Sequence, residues 1–287
     1  MAHPSFTPTY HTKPYAQISA SNPHLSCKGK VAFITGGGRG IGRSIARAFA
    51  IAGAKVFIIG RSEASLKDTW EELSKVNESS DPADAAYMAA DACDRAAVKS
   101  ALDAAMRLFG SIDILVNNAG YLDANRSIVD SDFDDYWRCY EVNVKAGIII
   151  AQEFLHLAQP GATYINISSG AAHIPYIQNF SAYSSSKMAF ARIVEFMQGE
   201  NPELRVFNVQ PGALKTDMQL KAPHIQADDH IDLPGGFCVW LTSSDADFLK
   251  GRFVWVNWDV DEMLKRKDDI LKNDLLRLRL SGWPRED

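Results

Sequence analysis

The sequence predicts an α/β protein built on one doubly wound parallel sheet of about seven strands, with helices on both faces. Three observations predict it. Short, nearly continuous apolar runs recur along the chain, segments of helical period lie between them, and no internal repeat or second core breaks the alternation. Parallel strands covered on both faces need such uninterrupted apolar runs, because neither side of the sheet meets water. Each parallel step then needs a right-handed crossover, which the intervening helices supply.

Val31–Thr35 is the first run and ends in glycines. Ile41, Ile45, Ala48, Phe49 and Ala52 follow at three- and four-residue spacing, one face of a helix that Gly53 terminates. Lys55–Ile59, rich in β-branched residues, is the second strand, and Ser62–Val76 a polar helix. The Ser79-Ser80-Asp81-Pro82 break reads as a loop rather than a domain boundary. Ala86–Ala89, Ile112–Val116, Thr163–Ile167, Arg205–Val209 and Arg252–Val256 complete the strands. Residues 1–28, with Pro4, Pro8, Pro14 and Pro23, read as a flexible extension and 29–258 as the main domain. Residues 259–287 read as a charged helical tail on or beside that domain. In it Leu264, Ile270, Leu271, Leu275 and Leu276 approximate one stripe.

Composition narrows the function. Hydrophobic residues at 46% and charged residues at 23% exclude a disordered chain. A net charge of −5 offers no basic surplus for a nucleic-acid backbone. Four scattered cysteines (Cys27, Cys93, Cys139, Cys238) argue against a metal site or disulfide scaffold and for a reducing, cytoplasmic setting. The apolar stretch Ala146–Ala151 is too short to span a bilayer, and the first residues contain no secretory apolar region. Arg285-Glu286-Asp287 is not a peroxisomal address.

The chemistry starts at Thr35-Gly36-Gly37-Gly38-Arg39-Gly40-Ile41-Gly42, directly between an apolar strand and an amphipathic helix. A dinucleotide pyrophosphate needs backbone N–H groups and a helix N-terminus at close range, and glycine permits that approach. An NAD site places an acid at the end of the second strand to hold the ribose hydroxyls. Here that place is Gly60, followed by Arg61, with no acid before Glu63. Arg39 and Arg61 would suit a 2′-phosphate, since guanidinium forks onto phosphate oxygens, so NADP(H) is expected over NAD(H).

Further motifs follow the later strands in order. Asp91 follows the third, Asn117-Asn118-Ala119-Gly120 the fourth, and Asn143 lies in the helix beyond. Ser168 and Ser169 follow the fifth. Ser168 points to the opposite face, so Ser169 is the candidate. Tyr183 and Lys187, four apart, share one helix face. Pro211, Gly212 and Thr216 follow the sixth strand. This set resembles the short-chain dehydrogenase/reductase family from about Lys30 to Thr216 and on to Val256, which implies a Rossmann-like fold.

By that resemblance Asn143, Ser169, Tyr183 and Lys187 form the catalytic set. Thr35, Gly36, Gly38, Arg39, Gly40, Ile41, Gly42, Arg61, Asp91, Asn118, Ala119, Gly120, Pro211, Gly212 and Thr216, with Tyr183 and Lys187, hold the cofactor. Asp91 matches the family residue at the adenine, a helix N-cap being its other reading. Asn143 is assigned a water linking the lysine to solvent. A free tyrosine titrates near 10, and the Lys187 ammonium with the nicotinamide ring would lower Tyr183. Tyr183 would then give a proton to a carbonyl oxygen held by Ser169. The resemblance implies NADP(H)-linked reduction of a ketone or aldehyde, reversibly. Net non-redox chemistry on the same scaffold, or a non-catalytic dinucleotide-binding regulator, are the alternatives.

The segment Ala171–Phe180 and the loop Ala213–Leu233 should wall the pocket, with Ile174, Tyr176, Ile177, Phe180, Met218 and Leu220 implying a largely apolar ligand. His173 and His224 read as solvated, and His156 as a packing residue. Asn257-Trp258-Asp259-Val260-Asp261-Glu262 replaces the family's D-G-G-like turn. A homo-oligomer, dimer or tetramer, is expected, though this departure leaves the usual four-subunit packing open.

Overall fold

A computed structural model of the chain describes residues 5–76 and 84–280. Pro4, the Ser79-Ser80-Asp81-Pro82 break and Arg285-Glu286-Asp287 lie outside the described residues. The strands are β1 (Val31–Thr35), β2 (Lys55–Gly60), β3 (Ala85–Ala89), β4 (Ile114–Asn117), β5 (Thr163–Ile167), β6 (Arg205–Gln210) and β7 (Phe253–Trp255). They form one seven-stranded sheet in the order β3-β2-β1-β4-β5-β6-β7, with every pairing parallel. The order reverses between β1 and β4, so a crevice opens at the carboxyl ends of these two strands.

The helices are α1 (Gly40–Ile51), α2 (Glu63–Leu73), α3 (Arg95–Phe109), α4 (Phe133–Tyr140), α5 (Ala146–Leu155), α6 (Ser181–Glu200), α7 (Leu233–Leu241), α8 (Val260–Lys265) and α9 (Lys267–Lys272). Strand alternation sorts them into two layers. Ile34, Val56, Ile58, Ile165 and Phe207 face α1, α2 and α7, while Phe33, Phe57, Leu115, Tyr164 and Val206 face α3, α5 and α6. Burial on both faces is why these strands read as continuous apolar runs. β4 starts two residues later than its apolar run, because the Asp113 carboxylate is spent accepting from the Val31 N–H and the Ser111 hydroxyl.

The lead expected to be flexible packs on the body from Phe6 onward. Ile18 and Cys27 are fully buried and Leu25 nearly so. Gly236 in α7 makes room for it: a Cβ there would stand 2.3 Å from the Ile18 carbonyl oxygen. Gly236→Ala should therefore push the lead away and lower stability by about 1–3 kcal/mol in chemical denaturation, the usual cost of overpacking. At the other end Ile270 is fully buried, with Leu264, Leu275 and Leu276 packed beside it, whereas Leu271 faces out. The buried Arg252 fixes this tail by donating to the Asp274 carboxylate at 2.9 Å and to the Leu275 carbonyl at 2.5 Å.

Candidate active site

The glycine loop is braced from β4. Thr35 Oγ1 accepts from the N–H groups of Asn118 and Ala119, each at 3.0 Å, and Asn118 Nδ2 donates to the carbonyls of Thr35 and Gly36. Gly36 has φ of +65°, and a Cβ on Gly42 would stand 2.2 Å from the Gly36 carbonyl oxygen. No residue larger than glycine fits at position 42 without moving the loop. Ser62, Asp94 and Asp132 cap α2, α3 and α4 with their side chains, whereas no side chain caps α1. Its first N–H groups are left for an external anion.

Arg61 is exposed just beyond β2. Arg39 is also largely exposed and donates to Asp217 at 2.7 Å, linking the glycine loop to the segment after β6. Asp91 accepts from the Cys93 N–H at 2.9 Å, and the capping of α3 falls to Asp94. Gly212, at φ +94°, turns the chain after Pro211 and brings Thr216 within 3.5 Å of where a Cβ on Gly40 would stand.

The four candidate catalytic residues converge at the carboxyl end of β5. Ser168 points inward with its hydroxyl buried, while Ser169 stands beside Tyr183 and accepts from the Ala171 N–H. That division follows from strand alternation. Tyr183 and Lys187 lie one turn apart on α6, with Lys187 Nζ 5.8 Å from the Tyr183 ring centre and donating to the Ile167 carbonyl at 3.0 Å.

Asn143 occupies a π-helical turn, Glu141–Lys145, between α4 and α5, the kind of local widening that re-aims a side chain at a functional site. Its Nδ2 donates to the Tyr121 carbonyl (2.8 Å) and Ser186 Oγ (3.0 Å), and its Oδ1 accepts from the Tyr121 N–H. A Cβ on Gly120 would stand 3.4 Å from both Asn143 Oδ1 and Lys187 Nζ. The missing side chain leaves space between those two polar atoms.

Burial sets the electrostatics. It pulls Lys187 down to about 8, and pushes Tyr183 up to about 12 against the opposing hydrogen bond from Ser169. The lowering expected of Tyr183 comes from the positive nicotinamide ring together with Lys187. Among the protein's own groups, desolvation raises the phenol and outweighs the opposing contribution of Ser169.

A family model described as short chain dehydrogenase matches residues 30–226. The chain belongs to the short-chain dehydrogenase/reductase family. It is 32% identical over 280 residues to the short chain dehydrogenase mpl6 of Monascus purpureus, covering 94% of each chain. It is 30% identical over 284 residues to the short chain dehydrogenase andI of Emericella variicolor, covering 96% of each. Among solved structures, a dehydrogenase/reductase from Sinorhizobium meliloti superimposes with a TM-score of 0.72 at 26% identity, covering 83% of this chain and 96% of that one. Members are oxidoreductases that bind a nicotinamide dinucleotide and act on small molecules.

The residues of this short-chain dehydrogenase fit that cofactor. The uncapped N-terminus of α1, the glycine that no Cβ can replace and the braced Asn118 form a cradle at the β1/β4 crevice.

The pocket walls are partly as expected. Phe180, Ile177 and Met218 pack with Tyr183, joined by Leu122, Ala171, Ala222 and Ile225. Tyr176, at 88% exposure, stands away from it, Ile174 packs on the main core, and the exposed Leu220 lines a hollow with Thr216 and Ile225. Leu122 could have been found, since it lies two residues past Gly120 at the carboxyl end of β4. Lys221 was also missed. It donates to the Leu122 carbonyl at 2.7 Å and sits 4.4 Å over the Tyr121 ring, pinning the loop after β6 to the loop after β4. His173 accepts from Trp255 Nε1 at 2.9 Å rather than facing water alone. His156 is exposed at the end of α5, not packed.

Proposed function

We propose that this enzyme is an NADP(H)-dependent reductase of ketones or aldehydes in largely apolar small molecules, reversible toward the secondary alcohol. One observation carries the reading: Ser169, Tyr183 and Lys187 meet at the carboxyl end of β5, two strands from the glycine loop at the end of β1. Bound reduced nicotinamide supplies a hydride. Ser169 holds the substrate oxygen, and Tyr183 delivers the proton to it. A phenol held near 12 stays protonated at neutral pH, so it is loaded as an acid for reduction. Lys187 stands one turn below, and the space at Gly120 gives a water route from its ammonium toward Asn143 Oδ1. The apolar wall of Phe180, Leu122, Ala222 and Met218 supports an apolar substrate.

Gly60 and Arg61 at the end of β2, with Arg39 in the loop, support the phosphorylated cofactor. Arg39 must exchange Asp217 for phosphate, and an exposed pair worth less than about 1 kcal/mol gives way readily. Arg39→Ala and Arg61→Ala are each expected to weaken NADPH about tenfold, the loss of one charge-assisted contact, with NADH changed less than about threefold. Fluorescence titration of the pure protein reads both. Equal losses for the two cofactors would contradict the phosphate clamp. The four free cysteines, three of them buried, support a cytoplasmic setting. Exposed Phe133 and Trp137 on α4 and Phe196 on α6 support a homo-oligomer.

A further inference from the structure

Two segments take no part in the active-site argument: the lead before β1, and Asn257–Glu262, where the chain departs from the family's pattern. The structure makes them partners. Tyr10 forms an antiparallel bridge with Trp258. The His11 N–H donates to the Asn257 carbonyl at 2.7 Å, and Asn257 Nδ2 returns a bond to the His11 carbonyl at 2.9 Å. Thr9 donates twice to the Glu262 carboxylate, and the His11 ring meets Asp259 at 2.8 Å. The Phe6 ring lies 5.4 Å from Trp258, with the Arg266 guanidinium over its other side at 3.7 Å.

From this clasp two routes reach the site. In the first, Trp258 stacks on Trp255 with ring centres 6.0 Å apart and planes within 9°. Trp255 donates to His173 and packs so closely on Gly170 that a Cβ there would stand 3.1 Å from the indole. Gly170 directly follows Ser169, so the indole backs the turn that carries the serine. In the second, the Thr12 carbonyl accepts from the His230 N–H at 2.7 Å. The neighbouring Asp229 closes the base of the loop that bears Thr216 and Met218. Its carboxylate accepts from the Ala213 N–H at 2.7 Å, and its own N–H donates to the Ala213 carbonyl.

We propose that residues 6–12 are a positioning element of the active site, fixing Ser169 through the Trp258–Trp255 stack and the loop 213–229 through Thr12 and His230. A displacement of about 1 Å at such a site costs on the order of a hundredfold in rate. The loop's other anchors, Lys221 on the Leu122 carbonyl and Arg39 on Asp217, lie along its length, so its base is placed by Asp229 and His230. The kinetic part of the proposal rests on the reductase reading above; the structural part does not.

The test uses two full-length variants that cut the clasp at different places. One is Thr9→Val with His11→Ala, and the other is Trp258→Phe, which keeps a ring but shortens the stack. Phe154→Leu, buried in α5 on the opposite face of the sheet, serves as a control for lost stability. Amide hydrogen exchange should rise at least about fivefold at Gly170–His173, Ala213 and His230 in both clasp variants, and not in the control. With ketone substrate, kcat/KM should fall about tenfold in the clasp variants and stay within about twofold in the control. Release of the His11 amide without faster exchange at Gly170–His173 and Ala213 would overturn the proposal. So would equal exchange in the control, or loosened amides with unchanged kcat/KM. A wild-type enzyme that reduces no carbonyl would sink the reductase reading instead, and the exchange pattern would still decide the structural part.

Discussion

Tyr183→Phe is expected to lower turnover about a thousandfold, within the range that general acid catalysis contributes, while NADPH affinity stays within about twofold. The substitution removes one oxygen from a side chain whose ring packs with Phe180, Leu122 and Ala222, so the pocket keeps its shape. What is lost is the acidic proton beside Ser169. Steady-state reduction of a ketone, with cofactor affinity measured separately, reads the two effects apart. A variant that retained a tenth of the wild-type kcat would remove Tyr183 from the chemistry.

Lys187→Met should abolish most activity and yet stabilise the fold. Nζ is buried with one partner, the Ile167 carbonyl, and burial has brought it down to about 8 from an ordinary value near 10.5. Between those values the unfolded chain holds a proton that the folded chain has released. Stability therefore rises with pH through that window, and the destabilisation is complete below about 8. Methionine removes the buried charge but also the bond to Ile167, so the net gain at neutral pH is about 1–2 kcal/mol. Thermal unfolding should show the variant above wild type at pH 7, with the gap closing as pH rises past about 8 and reversed by pH 10.5, where the neutral amine still keeps its bond to Ile167. A gap that widened with pH would contradict the assigned direction. Activity at neutral pH should fall on the order of a hundredfold or more, since the ammonium stands beside the Tyr183 ring and the space at Gly120.

The parts of this enzyme that were legible in its sequence are those where one residue type is required by one local geometry. Ile34 and Phe33 face opposite layers of helices because a strand alternates, and both are apolar because both layers exist. Gly42 could be read because a backbone carbonyl lies 2.2 Å from where its Cβ would be. Ser169 could be chosen over Ser168 by the same alternation that buries the latter.

The lead was not legible for the opposite reason. Phe6, Tyr10 and Ile18 follow no helical or strand period, and their partners Trp258 and Gly236 lie more than 200 residues away in sequence. The pocket walls failed in part because Ala171–Phe180 is irregular, so nothing local told Tyr176 from Phe180. The burial that raises Tyr183 was not legible, because spacing alone puts a lysine near a tyrosine but does not reveal desolvation. Nor does it show that the lysine spends a donor on Ile167.

Deuterium transfer tests the central claim most directly. The pure enzyme is given NADPH deuterated at the transferable position, together with a panel of apolar ketones and aldehydes, and the products are read by mass spectrometry. The account predicts deuterium on the carbinol carbon of at least one product with the wild type and none above background with Tyr183→Phe. NADPH that binds tightly but labels no carbonyl compound, or equal labelling by the Tyr183→Phe variant, would contradict it.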